Sequence, residues 1–125
     1  MSRLICDPVS MSTAAQASKS DGFGLVVRFT IRAGHEREFD ELVAGTVAAI
    51  AEHEPGTLLY VTHAVDQQPA LRIFYELYRD RAAFDEHERQ PHVRHFLTER
   101  KRLVERTEVD RLSPLAQAGV GRAAS

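Results

Sequence analysis

The sequence predicts an α+β domain with the element order β-α-β-β-α-β. Three observations lead there. Apolar residues recur first with a period of two, then with a helical period, then in two strand-like runs joined by a short polar loop; the helix-to-strand change then occurs once more. The chain has 125 residues, a length that suits one domain. It shows no internal repeat and no low-complexity linker that would divide it. This order is the split βαβ, or ferredoxin-like, arrangement: a four-stranded antiparallel sheet with helices on one face.

Residues 1–21 are rich in Ser, Ala and small polar residues and show no period, which predicts a loose arm; Met11 offers an alternative start. "FGLVVRFTI" (23–31) alternates Phe23, Leu25, Val27, Phe29 and Ile31, the mark of a strand with one strongly buried face. Gly34 breaks that pattern. From His35 to His53, Phe39, Leu42, Val43, Val47 and Ile50 form a helical stripe, and Glu36, Glu38 and Asp40 complement the positive end of the helix dipole. "EPG" (54–56) ends the helix, because proline disfavours helix before it and glycine permits the turn. "TLLYVTHAV" (57–65) and "ALRIFYELY" (70–78) read as a hairpin with "DQQP" (66–69) as its loop. Asp80 is the expected N-cap of a short helix over 80–88, and Pro91 suits the first turn of the next. That next helix is expected to carry Val93, Phe96, Leu97, Leu103 and Val104 on one face. "TEVDRL" (107–112) is the last strand and residues 113–125 a tail, so the folded domain is expected over 22–112. A sheet with helices on one face leaves the other bare, and a second copy of the chain is the expected cover.

Composition excludes several classes. The net charge of -2 and pI near 6.3 give no basic excess for nucleic acid. Cys6 is the only cysteine, so neither an internal disulfide nor a thiolate metal cage is expected. No apolar run approaches the roughly 20 residues of a membrane span, and the first ten residues lack a secretory apolar core, so a cytoplasmic location is expected. His92 and His95 are spaced as a chelating pair, but Pro91 separates them from His87, and no metal motif is present; no metal is expected.

"EPGTLLY", "FYELYRD" and "AFDEHERQPH", in this order and spacing, resemble the antibiotic biosynthesis monooxygenase family of dimeric α/β barrels over roughly residues 23–112. The haem-degrading branch of that group uses an asparagine, a tryptophan and a histidine ligand. This chain has no asparagine and no tryptophan, with Tyr78 at the tryptophan position and Leu97 near the ligand position, so haem degradation is not expected. The quinone-forming branch uses tyrosine, tryptophan, arginine and asparagine, of which only tyrosine and arginine are available here.

The resemblance implies that Arg72, Phe74, Glu76 and Tyr78 face the helices and line a pocket, with Tyr75 on the opposite face towards a partner. Glu76 stands out, since a buried carboxylate needs a donor, a cation or a proton. His92 falls at the edge of the apolar stripe of the last helix and His95 on its solvent side. His87 follows Phe84 by three residues and shares its buried side. Tyr60 joins the pocket if 58, 60 and 62 face the helices, which sends His63 outward; His35 and His53 are expected to be exposed. The resulting expectation is a cofactor-free oxygenase, without flavin or metal, that oxidises a phenol or hydroquinone with O2. His92 or His87 would be the base, since imidazole titrates near working pH, and Glu76 would orient it. Tyr60 and Tyr78 would hold substrate oxygens, and Leu58, Phe74 and Phe96 would form a dry wall. An isomerase or decyclising enzyme on the same scaffold, and a non-enzymatic binding dimer, remain open on the sequence alone.

Overall fold

The computed structural model describes residues 22–119; the expected arm at 1–21, with Cys6, lies outside them. The elements are β1 (Phe23–Ile31), α1 (Glu36–His53), β2 (Thr57–Val65), β3 (Gln68–Tyr78), α2 (Arg81–Arg89), α3 (Pro91–Glu99), a 3-10 turn (Arg100–Arg102) and β4 (Val104–Leu112). The sheet is antiparallel with strand order β2-β3-β1-β4. The ferredoxin-like α+β architecture is therefore present.

The alternation of β1 sends Val27, Phe29 and Ile31 under the helices. Phe29 is the centre of an aromatic cluster, with ring centroids of Phe74 at 4.9 Å, Phe39 at 5.3 Å and Phe96 at 6.0 Å. A second cluster at the far end of the sheet packs Phe23 and Tyr78 against Ala83 and Phe84 of α2. Asp80 caps α2, accepting from the Ala83 amide at 2.8 Å, and Pro91 opens α3. Arg72 runs to α1, where its Nε and Nη2 grip both oxygens of Asp40 at 2.8 and 2.9 Å. No described helix is long and apolar enough to cross a membrane.

Three expectations change. The last helix stops at Glu99, and Val104 begins β4 rather than continuing the helical stripe; β4 runs from 104, not 107. The stretch "VERT" hides its strand nature because β4 is an edge strand with mostly exposed side chains. The hairpin turn shrinks to Asp66 and Gln67, with Gln67 taking a left-handed φ of 66°. Leu58 is 43% exposed. Thr57 pairs with Tyr78 and Leu59 with Leu77, so Leu58 is the extra residue of a bulge and cannot join a wall with Tyr60.

Candidate functional site

Between the sheet and helices α2 and α3 lies a cavity of about 360 Å³. Leu25, Val27 and Phe29 of β1 form its floor, and Phe84, Val93, Phe96 and Leu97 form the helix side. Its polar groups include Tyr60, Glu76 and His87, with Arg100 and Thr107 also on the wall. Val109, on the helix-facing side of β4, is 48% exposed and marks the rim.

His87 is 4% exposed. Its Nδ1 lies 2.7 Å from Glu54 Oε1, and His92 Nε2 lies 2.6 Å from Glu54 Oε2. Thr57 Oγ1 donates to Glu54 Oε1 at 2.7 Å. Glu54 is itself buried at the C-terminal end of α1. Burial pushes its carboxyl pKa up, but the hydrogen bonds from His87, Thr57 and His92 outweigh that and hold it below the usual value. An ionised carboxylate only accepts, so both imidazoles place a proton on the nitrogen facing Glu54. In the neutral ring this leaves His87 Nε2 as a lone pair, and it has no hydrogen-bond partner among the described residues.

Glu76 sits beside this pair, 5% exposed. The Tyr78 hydroxyl donates to its Oε1 at 2.6 Å. Burial raises the Glu76 pKa, against the hydrogen bond from Tyr78. Burial, and then the charge of Glu76, push Tyr60 and Tyr78 upward, so both phenols stay protonated donors. Tyr60 packs on Phe74 at 5.8 Å and on the His87 ring at 5.8 Å.

The predicted residues divide. His87, Glu76, Tyr60 and Phe96 line the cavity. Phe74 and Tyr78, 1% and 0% exposed, are core side chains behind it, and the Tyr78 hydroxyl is spent on Glu76. His92 is not on the wall, because its Nε2 turns to Glu54. Leu58 is outside, for the reason given above. Glu76 does not orient either histidine by a hydrogen bond; Glu54 does. Sequence reasoning passed over Glu54 as part of a turn. A carboxylate at a helix C-terminus, where the dipole disfavours an anion, is the available signal that it needs donors. His95 and His53 are exposed, and His63 is exposed with Nδ1 3.2 Å from the Ile73 carbonyl. Among the described residues no group of three or more His, Cys, Asp or Glu side chains is arranged to hold a metal ion.

The antibiotic biosynthesis monooxygenase family model matches residues 22–99. The chain belongs to that family. Membership supports a monooxygenase-like role for the chain. No curated protein matches the sequence. Solved structures do. A protein from Pseudomonas aeruginosa is 27% identical over 78% of this chain and 97% of its own, with a TM-score of 0.71. One from Mycobacterium tuberculosis is 24% identical over 78% and 99%, with a TM-score of 0.72. SnoaB, a cofactor-independent oxygenase from Streptomyces nogalater, is 23% identical over 78% and 96%, with a TM-score of 0.69. The likeness to the last two is one of fold.

Proposed function

We propose that this family member is a cofactor-independent monooxygenase that converts a phenolic aromatic into a quinone with O2. The observation that carries the reading is the buried Glu54–His87 pair, whose unpaired ring nitrogen belongs to a residue on the wall of a mostly apolar cavity. Family membership and the fold shared with SnoaB support it.

In this reading His87 Nε2 takes the phenolic proton, and Glu54 holds the ring in the required tautomer and stabilises the imidazolium. The electron-rich phenolate passes one electron to O2, and the radical pair combines at the para carbon to form a peroxide. The imidazolium returns its proton to the terminal peroxide oxygen. A base then removes the para C–H proton, and its electron pair forms the second carbonyl as the O–O bond breaks. The departing hydroxide takes that proton and leaves as water. One oxygen atom enters the product, the other becomes water, and the substrate supplies the reducing electrons. Tyr60 donates to the oxyanion, and the apolar wall strengthens that bond by excluding water. His92 positions Glu54. The bare sheet face carries half-buried Val26, Val61, Ile73 and Tyr75, which suit burial against a second copy of the chain.

The test is oxygen uptake under ¹⁸O2 by protein freed of metals and cofactors, over a panel of polycyclic phenols with an open para position. The expected product is a quinone with one labelled oxygen. Turnover of such a phenol without O2 consumption would replace this reading with an isomerase or decyclising activity.

A further inference from the structure

We propose that Glu76 is a second catalytic residue of the cavity: it takes and returns the proton on the ring carbon para to the phenol oxygen, so the site exchanges that proton with water even without O2. The proposal rests on the reading above for a phenolic ligand, and it names the base that the carbon–hydrogen step of that reading needs.

Two groups on the cavity wall keep an open atom. Glu76 Oε1 accepts from the Tyr78 hydroxyl at 2.6 Å, and Oε2 carries no hydrogen bond among the described residues. His87 turns Nδ1 to Glu54, which is not on the wall, so Nε2 on the other side of the ring looks inward. Arg100 Nε is the one side-chain nitrogen or oxygen among the described residues that is sealed in the protein without a partner. Glu76 Oε2 is therefore unpartnered but not sealed, and the cavity is the space it meets. The other carboxylates do not fit the role. Glu54 is occupied by three hydrogen bonds, and Glu88, though on the wall, is exposed. Burial raises the Glu76 pKa, which makes its anion a stronger base than a hydrated carboxylate and lets its neutral form hold a proton.

The two groups reach the ligand from opposite layers. Glu76 stands on the sheet, paired across strands with Leu25 of the floor and with Tyr60. His87 stands on α2, its ring 5.8 Å from that of Tyr60 and 5.0 Å from that of Tyr78. Both therefore meet the same two tyrosines. A phenol with its oxygen at His87 can lie on the sheet and turn one ring face to Glu76. A proton joins or leaves the para carbon perpendicular to the ring, which is the direction a carboxylate on the sheet offers.

Without O2, His87 Nε2 takes the phenolic proton, the oxygen forms a carbonyl, and ring electrons at the para carbon bond the proton of the Glu76 carboxyl. In the reverse step the Glu76 carboxylate takes either proton from that carbon, the electron pair returns to the ring, and the imidazolium reprotonates the oxygen. Exchange of the carboxyl proton with water completes the cycle. With O2, the same carboxylate takes the para proton of the peroxide and hands it to the departing hydroxide.

The test is loss of label from 1-naphthol carrying deuterium at C4, followed by NMR with the intact protein in water under nitrogen. The wild type should release the label faster than buffer does. Glu76→Gln and His87→Ala should each lower the protein-dependent rate about 10²–10⁴-fold. Glu76→Asp, which keeps the carboxyl, should restore part of it, which a merely structural role would not. Glu41→Gln, on the exposed side of α1, should leave it unchanged. No release above buffer, or release that survives in Glu76→Gln, overturns the proposal. Oxygen uptake on the same compound is recorded in air. Uptake without anaerobic release removes the role of Glu76 and leaves the oxygenase. Release that depends on Glu76, without uptake, supports the role and counts against the oxygenase.

Discussion

Replacing Glu54 with glutamine tests the centre of the site. The side chain is buried and accepts three hydrogen bonds of 2.6–2.7 Å, from His87, His92 and Thr57. A hydrogen bond to a charged group contributes about 1 kcal/mol more than a neutral one, so three such bonds put the loss near 3 kcal/mol. The amide also turns a donor towards one of the imidazole N–H groups, which adds to the loss. Against a typical domain stability of about 5–15 kcal/mol this is a large share, equivalent to a Tm drop of roughly 10–15 °C. The sign with pH follows from the depressed carboxyl pKa. The folded state binds this proton less readily than the unfolded chain, so the contribution is complete above the ordinary glutamate value of about 4.3 and is lost as pH falls through the folded value. Urea unfolding at pH 7.5 and at pH 3.5 should show a wide gap between wild type and Glu54→Gln at the first and a narrower one at the second. A double-mutant cycle with His87→Ala should show coupling above about 1 kcal/mol. A gap under about 0.5 kcal/mol at pH 7.5, or effects that simply add, would refute the network.

Other perturbations separate neighbouring roles. Gly56→Ala would place a Cβ 2.7 Å from Ala83 Cβ on α2, so it should cost about 1–3 kcal/mol in a denaturation curve and slow turnover by displacing the helix that carries His87. Glu76 has the opposite linkage to Glu54: its raised pKa means that ionisation opposes folding as pH rises. Glu76→Gln should therefore gain melting temperature relative to wild type between pH 4 and pH 8, and a constant difference would contradict the assignment. Leu58→Ser should cost under about 1 kcal/mol, whereas Phe74→Ala should cost about 3–5 kcal/mol, because only the second opens a hole in the core.

Much of the fold was legible where one physical signal dominated. β1 and β3 each have one face under the helices, so their alternation carried through to Phe29, Phe74 and Glu76. Asp80 and Pro91 announced their helices by local chemistry alone. The bulge at Leu58 was not legible, because its neighbours look equally strand-like and one extra residue reverses a face. Glu54 meets His87 and His92 across 33 and 38 residues of chain, a tertiary contact with no local period to reveal it. His87 and His92 lie on the helices expected to carry them, and which of the two reaches the cavity depended on how each ring turned.

The most direct measurement is oxygen uptake on an active phenol by His87→Ala and His92→Ala side by side, each checked for a native circular dichroism spectrum. Loss of the general base should cost His87→Ala about 10²–10⁴-fold in kcat, and His92→Ala, which acts through Glu54, about tenfold. Full activity in His87→Ala, or a larger loss in His92→Ala, would contradict the assignment of His87 as the base.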